Sequence, residues 1–171
     1  TSYRPNPKRW VKQVPPSLQP AVRSIEAARY GEATRLLNAA PASRERTILQ
    51  ADMLLYDGQA GQAIELLGAQ SIGDDDHATA LLGIALTVAG RFEDARSRLA
   101  DFCRQHPAAV ESRLALADLE RLEGDAPAAL DMFSQVAGMS PDRHESWFGI
   151  GRIQNEKEAF QSAASALEQA L

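Results

Sequence analysis

The chain has 171 residues, 44% of them hydrophobic and 24% charged, which is enough for one domain-sized core or a short array of stacked units and too apolar for a disordered chain. Its formal net charge of −5 is unevenly spread: Arg4, Lys8, Arg9 and Lys12 give residues 1–16 a charge of +4 with no acid, and the remainder carries −9. That acidic body lacks the clustered basic face that phosphates require, which argues against nucleic acid, and no run of about 18 apolar residues is present to insert in a membrane.

In chain order, the leader comes first. Residues 1–16 hold Pro5, Pro7, Pro15 and Pro16 among the four cations and Trp10, a composition that resists helix and favours an extended chain. Two readings stay open for it. It is a disordered tail or linker, or it lies against the acidic array of its own or a neighbouring chain with Trp10 as apolar anchor. From residue 17 onward Leu and Ala dominate over Val, Ile and aromatics, which favours helix because unbranched side chains lose little rotamer freedom there. Helices are expected near 17–28, 31–40, 43–57, 60–69, 76–89, 92–105, 109–123, 126–138, 143–156 and 159–171, in units near 17–40, 43–69, 76–107, 109–141 and 143–171.

The units repeat. The second helices align on Ala33, Ala63, Ala95, Ala129 and Ala163, spaced by 30, 32, 34 and 34 positions. Four residues after each comes Leu37, Leu67, Leu99, Phe133 or Leu167, and that spacing places each pair on one helix face. In the first helices Ala51, Gly83, Ala117 and Gly151 form a small column that lets neighbouring axes approach. Gly58, Gly90 and Gly124 fall at the turns inside three pairs, and Pro107 and Pro141 close two units just before the next helix. Asp142-x-x-Glu145 has the form of a capping box.

These residues resemble the tetratricopeptide repeat, whose pattern runs Trp, Leu-Gly, Tyr, Ala, Phe, Ala, Pro. The fifth unit shows Trp147, Ile150-Gly151, Ala163, Leu167 and Ala170; the third Leu82-Gly83, Ala95, Leu99, Phe102 and Pro107; the fourth Leu116-Ala117, Ala129, Phe133, Val136 and Pro141. The resemblance covers residues 17–171 and weakens towards the start, with Pro20, Gln50 and Gln70 at positions the family fills with apolar or small residues. It implies an all-α, right-handed superhelical solenoid of about five antiparallel helix pairs, with Trp147 filling the gap between helices. It also implies a concave groove lined by the first helices. The groove positions carried over are Glu45, Ile48, Asp52, Leu55 and Tyr56; His77, Ala80, Ile84, Thr87 and Val88; Glu111, Leu114, Asp118, Arg121 and Leu122; and Glu145, Phe148, Arg152, Asn155 and Glu156. This is an apolar strip flanked by carboxylates, and the bland alternative for any one residue is packing against the next helix. A clamp for an acidic tail is excluded, since the family's basic clamp positions hold Ala80, Ile84, Ala115, Asp118 and Glu145.

Catalysis finds little footing. Asp74, Asp75 and Asp76 before His77 read as a loop and helix N-terminus, where carboxylates cap free amides, and no second imidazole stands at ligand spacing. Cys103, with His106 nearby, lacks a recognisable base and orienting group, and the glycines form no phosphate loop. No enzyme activity, metal or cofactor is therefore expected. The leading expectation is a scaffold that binds a protein or peptide, apolar with a basic or neutral flank; the leader and the last helix offer surfaces for self-association. The alternative is an adaptor region of a larger bacterial enzyme or export machine, such as a sulfotransferase, a glycosyltransferase or a polysaccharide secretion component. The start at Thr1 and the apolar last helix, with Leu167 and Leu171, read as a region of a longer chain. A single cysteine leaves cytoplasm and periplasm both open.

Overall fold

The computed structural model describes residues 4–11, 13–69 and 74–170, with the side chains of residues 8 and 162–170 outside the description. A short helix α1 (Pro7–Trp10) and a 3-10 turn (Pro16–Leu18) precede four antiparallel pairs. These are α2 (Gln19–Glu26) with α3 (Tyr30–Ala39), α4 (Arg44–Tyr56) with α5 (Ala60–Ala69), α6 (Asp76–Val88) with α7 (Phe92–Gln105), and α8 (Glu111–Leu122) with α9 (Ala126–Met139). The long helix α10 (His144–Ala170) follows. Each pair packs on the next, as a solenoid requires.

The turns inside the pairs share one geometry. Gly58, Gly90 and Gly124 take φ values of 74°, 75° and 90°, and the next residue's amide reaches back to close the helix end: Gln59 to Leu54 O, Arg91 to Leu86 O and Asp125 to Glu120 O, at 2.8–2.9 Å. The first pair closes identically, Arg29 N–H to Ser24 O at 2.8 Å, but with Ala28 at φ 57°. A Cβ in that conformation costs roughly 1–2 kcal/mol, so the irregular first unit keeps the family turn without its favoured residue.

The columns read from the sequence form the core. Ala33, Ala63, Ala95 and Ala129 are fully buried, as are Leu37, Leu67, Leu99 and Phe133 beside them. Ala163 and Leu167 lie outside the described side chains. Gly83 meets Leu99 so closely that a Cβ would stand 2.6–2.7 Å from the leucine's terminal carbons.

The fifth unit departs from expectation. Its two expected helices, 143–156 and 159–171, run as the single helix α10. Glu158 stands 34 positions after Gly124, where the turn glycine of the earlier pairs would fall, and no Gly or Pro follows Gly151. The sequence supplies strong helix formers and no stop, so the helix continues. Consequently no described segment folds back over the inner face. Trp147 is 53% exposed rather than filling a gap, its ring N–H donating to Pro141 O at 3.1 Å, and Gly151 has open space where its Cβ would be. The expected capping box does not form either: Glu145 pairs with Arg143 at 3.3 Å instead.

The aspartates before His77 cap helices. Asp75 accepts the Ala78 N–H at 2.7 Å at the start of its own helix. Asp76 reaches the following pair, where its two oxygens accept the Glu111 and Ser112 N–H groups at 2.9 and 2.8 Å, and Ser112 Oγ donates to the Asp76 carbonyl at 3.2 Å. The residue before α8, Val110, provides no side-chain cap of its own.

Candidate interaction groove

The first helices α2, α4, α6, α8 and α10 carry the positions expected to line a groove, and the leader's helix α1 packs on three of them, α2, α4 and α6. Asn6 accepts the Arg9 N–H at 3.2 Å and Pro7 occupies the first helical turn, a standard helix start, so residues 7–10 coil rather than extend. The coil directs Trp10 inward against α4 and α6. Trp10 is 3% exposed and joins the main core together with Val11, Leu18, Ile48 and Ala80.

Two buried carboxylates receive the leader's polar groups. Asp52 on α4, fully buried, accepts the Trp10 indole N–H at 3.1 Å on one oxygen and the Asn6 backbone N–H at 3.0 Å on the other. Glu111 on α8, 2% exposed, pairs with Arg9 Nε at 2.9 Å and with Arg143 at 2.5 Å. The Arg9 guanidinium also lies over the Trp10 ring, 4.5 Å from its centroid. A buried carboxylate is costly without such donors. An indole buries about 150–250 Å², worth on the order of 4–6 kcal/mol at about 25 cal/mol per Å², so Trp10 outweighs the Arg9 ion pair, a charged hydrogen bond worth roughly 1.5–3 kcal/mol.

The residues expected at the groove divide accordingly. Ile48, Asp52, Ala80, Glu111 and Leu114 are buried, and Glu45, His77 and Ile84 are half-buried. Ile48 and Ala80 are interior because the leader covers α4 and α6, whereas Leu114 packs with Ala129, Phe133, Val136 and Ile153 in a second cluster between α8, α9 and α10. These three apolar residues are core and not open surface. Tyr56, Val88, Asp118, Glu145, Phe148 and Arg152 are exposed. Tyr56 lies against Tyr30, ring centroids 4.2 Å apart, at the first pair.

The open part of the groove therefore begins beyond the leader. Val88, Leu122 and Phe148 are 54%, 56% and 67% exposed. Beside them Arg121 reaches Glu156 at 3.5 Å and Asp118 at 3.8 Å, and Arg152 lies 5.8 Å from the Phe148 ring. Asp118 is half-exposed, yet desolvation by the groove walls pushes its carboxyl above the ordinary value, against the pull of Arg121, Arg9 and Arg152.

Nothing comparable surrounds the candidate nucleophile. Cys103 is half-buried and desolvation raises its thiol pKa, against Arg113 and with Asp76. His106 does not serve it as a base: its Nδ1 lies 3.2 Å from Phe102 O, its ring stacks on Phe102, and Nε2 faces Asp74 at 3.6 Å. No group of three or more metal-ligating side chains occurs among the described residues.

Of the two readings of the leader, docking on its own array with Trp10 as anchor is the one the structure shows; what sequence reasoning missed is the short helix, where an extended chain was expected, and the seat on Asp52 and Glu111. The signal was present in Asn6-Pro7, a capping residue followed by proline, which starts a helix at the point needed to turn Trp10 inward.

Comparison with known proteins agrees with this architecture. The family model of the tetratricopeptide repeat matches residues 81–143 and 123–171. No curated protein sequence matches the chain. Among solved structures it is similar to TTC0263, a thermophilic TPR protein of Thermus thermophilus, at 22% identity and a TM-score of 0.73, over 90% of each chain. It is also similar to MamA of strain AMB-1, at 17% identity and 0.59, covering 91% of this chain and 96% of that one. YrrB, a TPR protein with an unusual peptide-binding site, aligns at 17% identity and 0.58 over 75% of this chain and 69% of that one.

Proposed function

The chain belongs to the tetratricopeptide repeat family, and we propose that it is a non-catalytic scaffold whose concave face binds a partner peptide, apolar with a basic or neutral flank. The supporting observation is the leader itself: an apolar ring beside a cation already sits on that face, held by Asp52 and Glu111. Val88, Leu122 and Phe148 add exposed apolar side chains on the first helices α6, α8 and α10, with the carboxylates of Asp118 and Glu145 also exposed on α8 and α10. Apolar contact supplies most of the affinity there. The rim carboxylates set partner choice and association rate, since charges at the surface are screened over about 8–10 Å at physiological salt.

The test is a pull-down with the whole chain and with Val88→Ser, Phe148→Ser introduced together. Both side chains face solvent, so helical content should hold while capture of the specific partners falls by at least about tenfold. Recovery of the same partners by both proteins would remove the open groove as the binding site. Leu114, an obvious choice from the repeat register, is unsuitable because its loss would open the core.

A further inference from the structure

We infer that the leader is the resident occupant of the groove in cis, and that the partner enters by replacing it with a segment in which a cationic residue directly precedes a tryptophan. This rests on the proposal that the concave face binds a peptide. Among the described residues, five consecutive ones, Asn6 to Trp10, carry the leader's polar contacts to these two carboxylates: one backbone N–H and the indole N–H on Asp52, and the Arg9 guanidinium on Glu111. A linear segment in trans can carry the same set. The order matters, because Asp52 and Glu111 stand on different helices, α4 and α8, and adjacent residues reach both.

The seat is selective. Phenylalanine at the ring position would take the indole donor from a fully buried carboxylate, and a neutral residue before it would remove one cation from buried Glu111. An acidic segment would face Asp52, Glu111 and Asp118 together. Exchange has places to begin, since the apolar side chains of Val88, Leu122 and Phe148 are exposed while the leader is seated. A longer incoming segment can hold there first and then compete for the seat of Trp10. While the leader is bound, the competent fraction is small and apparent affinity falls in proportion.

The probe is a fluorescently labelled peptide with the sequence of residues 4–14, titrated into the full chain and into the full chain carrying Arg9→Ala and Trp10→Ala. The variant should bind the probe at least about tenfold more tightly than the parent, a difference of about 1.4 kcal/mol. Phe in place of Trp in the probe, or Asp52→Asn added to the variant, should each reverse that gain. Equal affinity for parent and variant, or no binding to a variant of unchanged helicity, would overturn the inference.

A second measurement does not depend on the variant folding. In the parent chain labelled with fluorotryptophan, excess unlabelled peptide should move the fluorine resonance of Trp10 to that of a solvent-exposed indole, as its ring leaves the groove. Binding without that movement would show two separate sites and sink the inference, as would concentration-dependent dimers that vanish with the Arg9 and Trp10 substitutions, which would make a second copy the occupant. The two proposals fail differently. Loss of partners with Val88→Ser, Phe148→Ser and no probe binding leaves the groove and refutes the exchange; probe binding with partners unchanged refutes the exposed apolar residues as the binding site.

Discussion

Two glycines on α10, Gly149 and Gly151, should respond in opposite directions to the same substitution. Gly149 is pressed against the Phe133 ring: a Cβ there would stand 2.5–2.6 Å from three ring carbons. Phe133 is 1% exposed and packed with Leu114, Ala129, Val136 and Ile153, so the ring has no direction in which to yield. Overpacking of this kind costs about 1–3 kcal/mol, partly offset by the roughly 1 kcal/mol that alanine gains over glycine inside a helix. Gly149→Ala should therefore destabilise by up to about 2 kcal/mol, and at about 2–4 °C per kcal/mol for a chain of this size the melting temperature should drop by up to roughly 8 °C. Gly151 has nothing within 4 Å of the same atom. Only the propensity term remains, so Gly151→Ala should stabilise by about 0.5–1 kcal/mol. Thermal unfolding followed by circular dichroism reads both. A loss of stability in Gly151→Ala comparable to that in Gly149→Ala would refute the reasoning, because it would mean that a second helix folds back over Gly151 as in the regular repeat.

Two other outcomes follow from the same packing. Ala129→Leu places a large side chain at a fully buried crossing and should cost about 1–3 kcal/mol; an unchanged melting temperature would show that the repeat register is misplaced. Cys103, whose thiol is pushed up chiefly by desolvation, should be alkylated more slowly at neutral pH than the thiol of a short unstructured peptide, since only the thiolate reacts; equal or faster labelling would contradict that environment.

The repeat was legible because one physical demand recurs: wherever two helices cross closely a small residue is needed, and Ala33, Ala63, Ala95 and Ala129 meet it at full burial. Glycines at the pair turns were legible for the same reason, as Gly58, Gly90 and Gly124 all lie at positive φ. The fifth unit misled because the match to the family pattern at Trp147, Gly151 and Ala163 reports which face a helix would bury, whereas the turn that makes a pair depends on a separate residue, and Glu158 stands there. Groove residues were harder. The register places Ile48, Ala80 and Leu114 on the first helices, but whether such a side chain meets solvent depends on what lies over it: Trp10, distant in sequence, packs in one cluster with Ile48 and Ala80, whereas α9 and α10 enclose Leu114. The leader's four cations and Trp10 beside an acidic body were enough to raise docking as one of two readings, but a proline-rich stretch has no periodicity from which to place it; the cap at Asn6 was the local sign of the turn that does so.

The carboxylate of Asp76 joins two pairs in a way that apolar packing alone does not. The first amides of α8 close on oxygens that belong to α6, while the residue just before α8 offers none. In a linear stack with nearest-neighbour coupling, that arrangement moves free energy out of the individual repeat and into the joint. If the third pair frays, the fourth loses the start of a helix as well as an apolar wall. The two are therefore expected to open together rather than one at a time.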